Sequence, residues 1–366
     1  MRDVVIVGAG RIGATLADML TLSGDYAVTV VDHSADQLAM LDVSTSIATA
    51  KVDVTAPGEL EKVLAGKFAV LSAAPYHLTT RIAEAAASAK VHYLDLTEDV
   101  KSTRMVKAIA GKADTAFIPQ CGLAPGFIAI AANSVARTFD RLEEVKMRVG
   151  ALPQFPDNVL NYALTWSPEG VINEYCEPCE AIVDGALTEI APLEDCEQFT
   201  LDGIAYEAFN TSGGLGATCH KLLGKVKNLN YKSIRYPGHA AIMKLLLNDL
   251  QLCKRRDLAL AVLKHAILPT EQDVVVVLVE VSGEKNGKTV TEQFSRQIYA
   301  GYVGHARRSA IQITTAAGIS TVLDMLANEQ LPQKGFIEQE DIDLDAFLAN
   351  RFGQTYGRSE SLNKVA

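Results

Sequence analysis

Val4-Val5-Ile6-Val7-Gly8-Ala9-Gly10-Arg11-Ile12-Gly13 is the stretch that decides the fold. Its apolar, β-branched residues predict a buried strand, and the glycines break that strand at once. An amphipathic run over residues 14–22 predicts a helix, and a second apolar run over residues 27–31 ends at Asp32. Strand, glycine turn, helix, strand and acid in this order form the dinucleotide-binding pattern. Gly8 makes the turn, Gly10 lets the backbone approach a pyrophosphate, and Gly13 lets the helix pack against the strand. The pyrophosphate then rests on the helix N-terminus at Arg11 and Ile12, where free N–H groups favour negative charge.

Asp32 stands nineteen residues beyond Gly13. A carboxylate there accepts hydrogen bonds from the adenosine ribose and repels a 2′-phosphate. Residues 33–41 hold no Arg or Lys to attract one. NAD is therefore expected rather than NADP. Asp53 ends a third strand signal over residues 50–54 and is read two ways, as a neighbour of the adenine or as a solvated strand end.

Working outward, strand signals recur at residues 68–72, 91–94 and 115–118, with helical patterns at 35–41, 57–64, 78–89 and 100–113. This alternation predicts an α/β fold, a doubly wound parallel Rossmann sheet over residues 1–125, closing around residues 119–125. Beyond residue 151 the character changes. Strand-like pieces fall at 180–183, 187–190, 204–209, 228–234 and 273–281. The last is joined to 289–299 through the hairpin signal Gly283-Glu-Lys-Asn-Gly287. Helical patterns at 240–252 and 256–265 interrupt them. Residues 126–305 therefore read as an α+β domain for substrate binding and oligomerisation, with an antiparallel or mixed sheet. Residues 306–366 read as a long helix (306–329) and a tail with a helical piece at 344–350, packing back on the first domain.

The 366 residues are 48% hydrophobic, enough for a sizeable core. A net charge of −10 argues against non-specific nucleic-acid binding. Arg2 and Asp3 lead straight into the first strand, so no signal peptide is expected, and no wholly apolar stretch reaches bilayer-spanning length. A cytoplasmic protein with no membrane partner is the expectation. The cysteines are Cys121, Cys176, Cys179, Cys196, Cys219 and Cys253. Cys176 and Cys179 have metal-ligand spacing, but a structural site needs four ligands and no second pair follows. No metal is expected, and the thiols are expected to be reduced.

Ligands of an open α/β sheet bind beyond the carboxyl ends of its strands. After the fourth strand, Ala73, Ala74 and Pro75 let the backbone pass beside the cofactor, and Tyr76 points toward the cleft. After the fifth, Asp95 can hold or deprotonate a substrate amine, or serve as a helix cap or strand-end acceptor. After the sixth, Cys121 and Gly122 line the nicotinamide pocket. In the second domain the loop Asn210-Thr211-Ser212-Gly213-Gly214-Leu215-Gly216 offers an anion nest, with the Thr211 and Ser212 hydroxyls as donors. In Arg235-Tyr236-Pro237-Gly238-His239, Arg235 can pair a carboxylate in bidentate fashion or make an ordinary ion pair. His239 can be a general acid or base, or a helix-start residue satisfied by local backbone.

Together these segments resemble the saccharopine dehydrogenase-like oxidoreductases, and within them the bacterial L-lysine 6-dehydrogenase branch. The resemblance rests on residues 7–13, 72–77, 92–99, 119–127, 209–216, 234–239 and 310–318, and so spans nearly the whole chain. It implies NAD-dependent oxidative deamination of the ε-amino group of L-lysine. The product is the 6-semialdehyde, which closes to piperideine-6-carboxylate, with ammonia and NADH. The amine must be neutral before hydride leaves its carbon, so alkaline conditions are favoured. Under this reading Asp95 holds the ε-ammonium, and His239 or a water takes the proton. Tyr76 is the third catalytic candidate; Arg235, Thr211 and Ser212 anchor the α-carboxylate, and Cys121, Gly122 and Tyr236 complete the substrate site. A homodimer or higher homo-oligomer is expected. The rival reading is a saccharopine-forming or saccharopine-cleaving enzyme. Its substrate carries two more carboxylates and needs further cations, for which Arg148 and Lys232 are candidates. A non-catalytic NAD-binding regulator would keep Gly8, Gly10, Gly13 and Asp32 but lose the polar loops.

Overall fold

The computed structural model describes residues 1–41 and 46–357. The end of the expected tail, beyond residue 357, lies outside the described residues. The chain forms two compact units. The first gathers Met1–Phe127, Tyr302–Arg308 and Gln312–Thr355, and the second is built on Ile128–Gly301 with Ser309–Ile311. The first unit thus runs to Phe127 rather than residue 125 and includes most of the C-terminal segment.

The first unit contains β1 (Arg2–Val7), β2 (Tyr26–Asp32), β3 (Ala48–Lys51), β4 (Ala69–Ser72), β5 (His92–Asp95) and β6 (Ala116–Ile118). All pair in parallel, in the order β6-β5-β4-β1-β2-β3. Val4, Val5 and Ile6 are fully buried, as a strand covered on both faces requires. One core cluster unites Val5, Val7, Val31, Val70, Ile82, Tyr93, Val106 and Phe117. The register sets Val7 beside Val31 and Ser72, so the carboxyl ends of β1, β2 and β4 are level where the strand order reverses. The sheet does not end at β6. The two-residue strand Gly335–Phe336 pairs with Ala116 and Phe117 and extends it, a piece too short to carry a sequence pattern.

Local chemistry sets the element ends. The first helix spans Arg11–Leu22, starting earlier than the amphipathic pattern because Gly10 is its N-cap. Pro57 stays outside the helix Glu59–Leu64, which begins after Gly58 in the left-handed region. The apolar helix Ala310–Ala327 is long enough to cross a membrane, but it is 94% buried and serves as a core helix.

The second unit contains β7 (Arg141–Pro153), β8 (Cys179–Val183), β9 (Ala186–Ile190), β10 (Glu197–Leu201), β11 (Ile204–Asn210), β12 (Asn228–Arg235), β13 (Asp273–Lys285) and β14 (Lys288–Tyr299). The sheet is mixed, in the order β10-β11-β12-β7-β13-β14, with β12 parallel to β7. The hairpin β8-β9 joins it where Ile182 meets Leu229. β7 is central to the sheet, yet its pattern was hidden by charge. Lys146 pairs with Glu144 on the same strand and with Glu280 on β13, and Arg148 pairs with Glu197 on β10, so these charges are neutralised within and across strands. The β13-β14 turn is narrower than the five-residue signal suggested. Asn286 and Gly287 both have positive φ, and Lys285 pairs with Lys288, as in a two-residue hairpin. Gly283 instead sits inside β13 at a register shift, where a Cβ would lie 2.1 Å from the Arg141 carbonyl oxygen.

The cysteines correct a second expectation. Cys176 and Cys253 form a disulfide between the helix Pro168–Cys176 and the turn Leu252–Lys254. The partners stand 77 residues apart in sequence, so spacing alone does not reveal them. Cys121, Cys179 and Cys219 are buried free thiols, and Cys196 is an exposed one. No cluster of metal-ligating side chains occurs among the described residues.

Candidate functional site

In the first unit the glycines divide by role. Gly8 has φ +107°, and a Cβ on it would lie 2.8 Å from the Ala73 carbonyl oxygen. A Cβ on Gly13 would lie 1.8 Å from the Gly8 carbonyl oxygen. Both are therefore demanded by packing. At Gly10 a Cβ would meet no atom within 4 Å among the described residues. Gly10 opens onto free space at the start of the Arg11–Leu22 helix. That helix has no side-chain cap and no acid in its first turn. Its leading N–H groups are thus available to an anion, and the arrangement fits a pyrophosphate.

Asp32 is held at the rim of this cradle. Its two carboxylate oxygens accept the Ala9 and Ser34 N–H groups, each at 2.8 Å. Oδ1 also meets His33 Nδ1 at 3.0 Å, and Oδ2 keeps a lone pair for a ribose hydroxyl. Arg11 and Ile12 open the helix. Ala73, Ala74 and Pro75 leave β4, with the Ala73 N–H donating to the Val7 carbonyl at 2.9 Å. Asp53 is an exposed turn residue. It lies beyond the end of β3, is exposed, and accepts the Thr55 N–H and hydroxyl, which hold its carboxyl below the usual range.

Asp95 and Cys121 are structural in this unit. Asp95 is 1% exposed. One oxygen accepts the Gln120 and Thr97 N–H groups at 2.8 and 3.0 Å, and the other accepts the Tyr93 hydroxyl at 2.7 Å. Burial pushes its pKa up to about 6 despite these donors. These bonds are those of a strand-end acceptor. The Cys121 thiol donates to the Ile118 carbonyl at 2.9 Å and accepts the Gln339 amide at 3.2 Å. Burial raises its pKa far above the ordinary thiol value. It is thus committed to this internal network and not presented as a pocket wall. The Gly122 carbonyl accepts the Phe127 N–H at 3.0 Å, also a structural bond. Tyr76 lies on a short turn, 38% exposed, and its hydroxyl bonds to no described residue.

In the second unit the end of β12 presents Arg235, 3% exposed. Its Nε–H donates to the Tyr175 hydroxyl at 3.0 Å and its Nη1 to the Ile234 carbonyl at 2.8 Å. The guanidinium carbon lies 5.0 Å from the Tyr162 ring centroid. No carboxylate among the described residues is within ion-pair distance of it. Glu174, buried on the Pro168–Cys176 helix, favours its charge only through space. The other buried cations are matched. Arg148 makes a bidentate pair with Glu197, and Lys232 pairs with Asp195 and Glu197. A buried guanidinium with no carboxylate bonded directly to it can pair with the carboxylate of a ligand.

His239 does not fit the acid–base role. It is 1% exposed, and both ring nitrogens are engaged. A carbonyl only accepts, so Nδ1–H donates to Leu160 at 3.0 Å. Nε2 therefore accepts the Tyr175 O–H at 3.1 Å. Burial first, then the Arg235 charge, push its pKa down to about 3. The Thr211 hydroxyl bonds to the Ser233 hydroxyl, oxygen to oxygen 2.8 Å, with either as donor. The Ser212 N–H donates to the Glu174 carbonyl at 3.0 Å. Gly214 is small because the Tyr231 ring packs on it, 2.2 Å from where a Cβ would stand. Tyr236 alternates to the other side of the strand from Arg235. It stacks on Tyr206 and donates to the Pro153 carbonyl at 2.9 Å, so it is not with Arg235. Tyr162 and Tyr175 do meet Arg235, and no sequence motif marks either.

Comparisons with known proteins fit this architecture. The family model described as Saccharopine dehydrogenase NADP binding domain matches residues 4–118, and Saccharopine dehydrogenase C-terminal domain matches residues 122–354. The rat protein named mitochondrial alpha-aminoadipic semialdehyde synthase is 22% identical over 196 residues, 52% of this chain and 21% of that protein. The Saccharomyces cerevisiae protein named saccharopine dehydrogenase [NADP(+), L-glutamate-forming] is 26% identical over 177 residues, 47% of this chain and 40% of that protein. The matches thus span less than half the length of either relative. The solved structure of apo saccharopine dehydrogenase (L-Glu forming) from the same yeast shares the fold. Its TM-score is 0.78 at 16% identity, covering 97% of this chain and 96% of that one.

Proposed function

We propose that this chain, which belongs to the saccharopine dehydrogenase family, catalyses NAD-dependent oxidative deamination of the ε-amino group of L-lysine. The observation that carries the reading is Arg235, a buried guanidinium with no carboxylate partner. An amino-acid substrate supplies the missing carboxylate in the bidentate geometry that arginine favours. The first unit binds the nucleotide on the Gly8–Gly13 turn, and Asp32 selects NAD by accepting ribose hydroxyls where NADP has a phosphate. The oxidised nicotinamide, when bound, accepts the hydride. Asp95 and His239 are committed to internal hydrogen bonds, so the ammonium proton passes to solvent. Activity then rises with pH toward the amine pKa of about 10.4.

A second reading follows from the name of the yeast relative, saccharopine dehydrogenase. Saccharopine carries more carboxylates than lysine, and each wants a cation. Arg148 and Lys232 are already neutralised by Glu197 and Asp195, which favours the smaller substrate. The test is nicotinamide reduction by purified protein at alkaline pH, with L-lysine or L-saccharopine and with NAD or NADP. Reduction and ammonia release with lysine and NAD support the proposal. Reduction with saccharopine alone overturns it in favour of the second reading. Loss of turnover in Arg235→Met, with nucleotide binding retained, assigns the carboxylate anchor.

A further inference from the structure

We infer that Tyr175 is the positioning residue that makes the second unit selective for substrates bearing a carboxylate. The inference rests on the reading of Arg235 as the carboxylate anchor. Tyr175 is fully buried on the Pro168–Cys176 helix. Its hydroxyl joins Arg235 to His239, accepting from Nε at 3.0 Å and donating to Nε2 at 3.1 Å. The chain of donors runs one way, from Arg235 to Tyr175 to His239 to the Leu160 carbonyl. Phe209 stacks on the His239 ring and meets Tyr175 edge-on, which fixes both rings.

A guanidinium has five N–H donors in one plane. Tyr175 takes the one at Nε, and the Ile234 carbonyl takes one at Nη1. Those two bonds fix the plane and leave the remaining Nη donors without a described partner. The edge offered to a ligand is thus set before the ligand arrives, which lowers the ordering cost of binding. The chemistry of the holding group matters as much as its position. A carboxylate at Tyr175 would orient Arg235 equally well but would cancel the charge that recognises the substrate. A phenol orients it and leaves the charge intact. His239 serves the same end, because a neutral acceptor on the Tyr175 proton turns the oxygen lone pairs toward Arg235.

The test compares wild type with Tyr175→Phe as full-length protein, using L-lysine and 1,5-diaminopentane. The diamine has the same terminal amine and lacks the carboxylate. The expected result is a fall of about tenfold in the kcat/KM ratio of lysine over diamine, carried by KM rather than kcat. His239→Gln keeps an acceptor for the Tyr175 proton and is expected to give a smaller fall. An equal loss on both substrates, or a loss carried by kcat, overturns the inference. If wild type oxidises neither amine, the functional reading fails separately. Calorimetric titration with hexanoate then decides the inference: weaker binding to Tyr175→Phe supports it, and equal binding overturns it.

Discussion

The Asp95 carboxylate accepts the backbone N–H of Gln120 at 2.8 Å, so one buried acid at the end of β5 holds the segment that leaves β6. Desolvation raises its pKa from 3.8 to about 6. A carboxyl raised in the folded state binds its proton more tightly there than in the unfolded chain. Its contribution to stability is therefore full below about pH 4 and is lost as pH rises through about 6. Asp95→Asn removes that dependence, about 3 kcal/mol across the window, and leaves three converging donors with one carbonyl acceptor. Urea midpoints at pH 4.5 and 7.5 check this. A pH dependence identical to wild type would show that Asp95 does not titrate there.

His239 gives the opposite sign. Its pKa is lowered from 6.5 to about 3 in the folded state. The unfolded chain therefore binds the proton first as pH falls. Stability is present above about pH 6.5 and is lost as pH falls toward 3, on the order of 5 kcal/mol in all. Replacement by Gln is expected to flatten the acid limb by close to one proton. Unchanged proton uptake on unfolding between pH 6.5 and 4 would refute the assignment.

Gly10 and Gly13 are expected to fail differently. A Cβ at Gly13 collides with the Gly8 carbonyl, so Gly13→Ala lowers the melting temperature whether or not nucleotide is present. Gly10→Val has ordinary backbone angles and room for its side chain, yet fills the pyrophosphate cradle. It should melt near wild type and bind NAD at least tenfold more weakly, since the displaced phosphate contacts are charge-assisted. Tryptophan-independent calorimetry of NAD binding, beside thermal melts, separates the two. Equal NAD affinity in Gly10→Val would rule out the cradle.

The Cys176–Cys253 disulfide closes a long loop in the unfolded chain. Removing it in the Cys176→Ser, Cys253→Ser double variant is expected to cost about 3–5 kcal/mol. Mass spectrometry after alkylation should find four reactive thiols in denatured oxidised protein, matching the free cysteines Cys121, Cys179, Cys196 and Cys219. Six would disprove the pairing.

The glycine turn was legible because its chemistry is local. Gly8, Gly10, Gly13 and Asp32 act through backbone angles and short spacings, and the parallel alternation followed from repeated apolar runs. The second unit was less legible for a physical reason. β7 is charged along one face, and only its cross-strand partners Glu197 and Glu280 make that face tolerable inside a sheet. The roles of Asp95 and His239 were also out of reach. Either residue can do acid–base chemistry when one lone pair or proton is free, and sequence does not count the donors around them.

Sequence by itself determined the βαβ nucleotide turn, the doubly wound sheet and the family. Each of these depends on residue type at fixed short separations. Tertiary structure alone decided which cation has no carboxylate bonded to it and which hydroxyl holds it. Arg148, Lys232 and Arg235 are equivalent as letters. They differ because folding brings Glu197 and Asp195 to the first two and the Tyr175 phenol to the third. Charge compensation in a buried site depends on distance in space, which sequence separation does not encode.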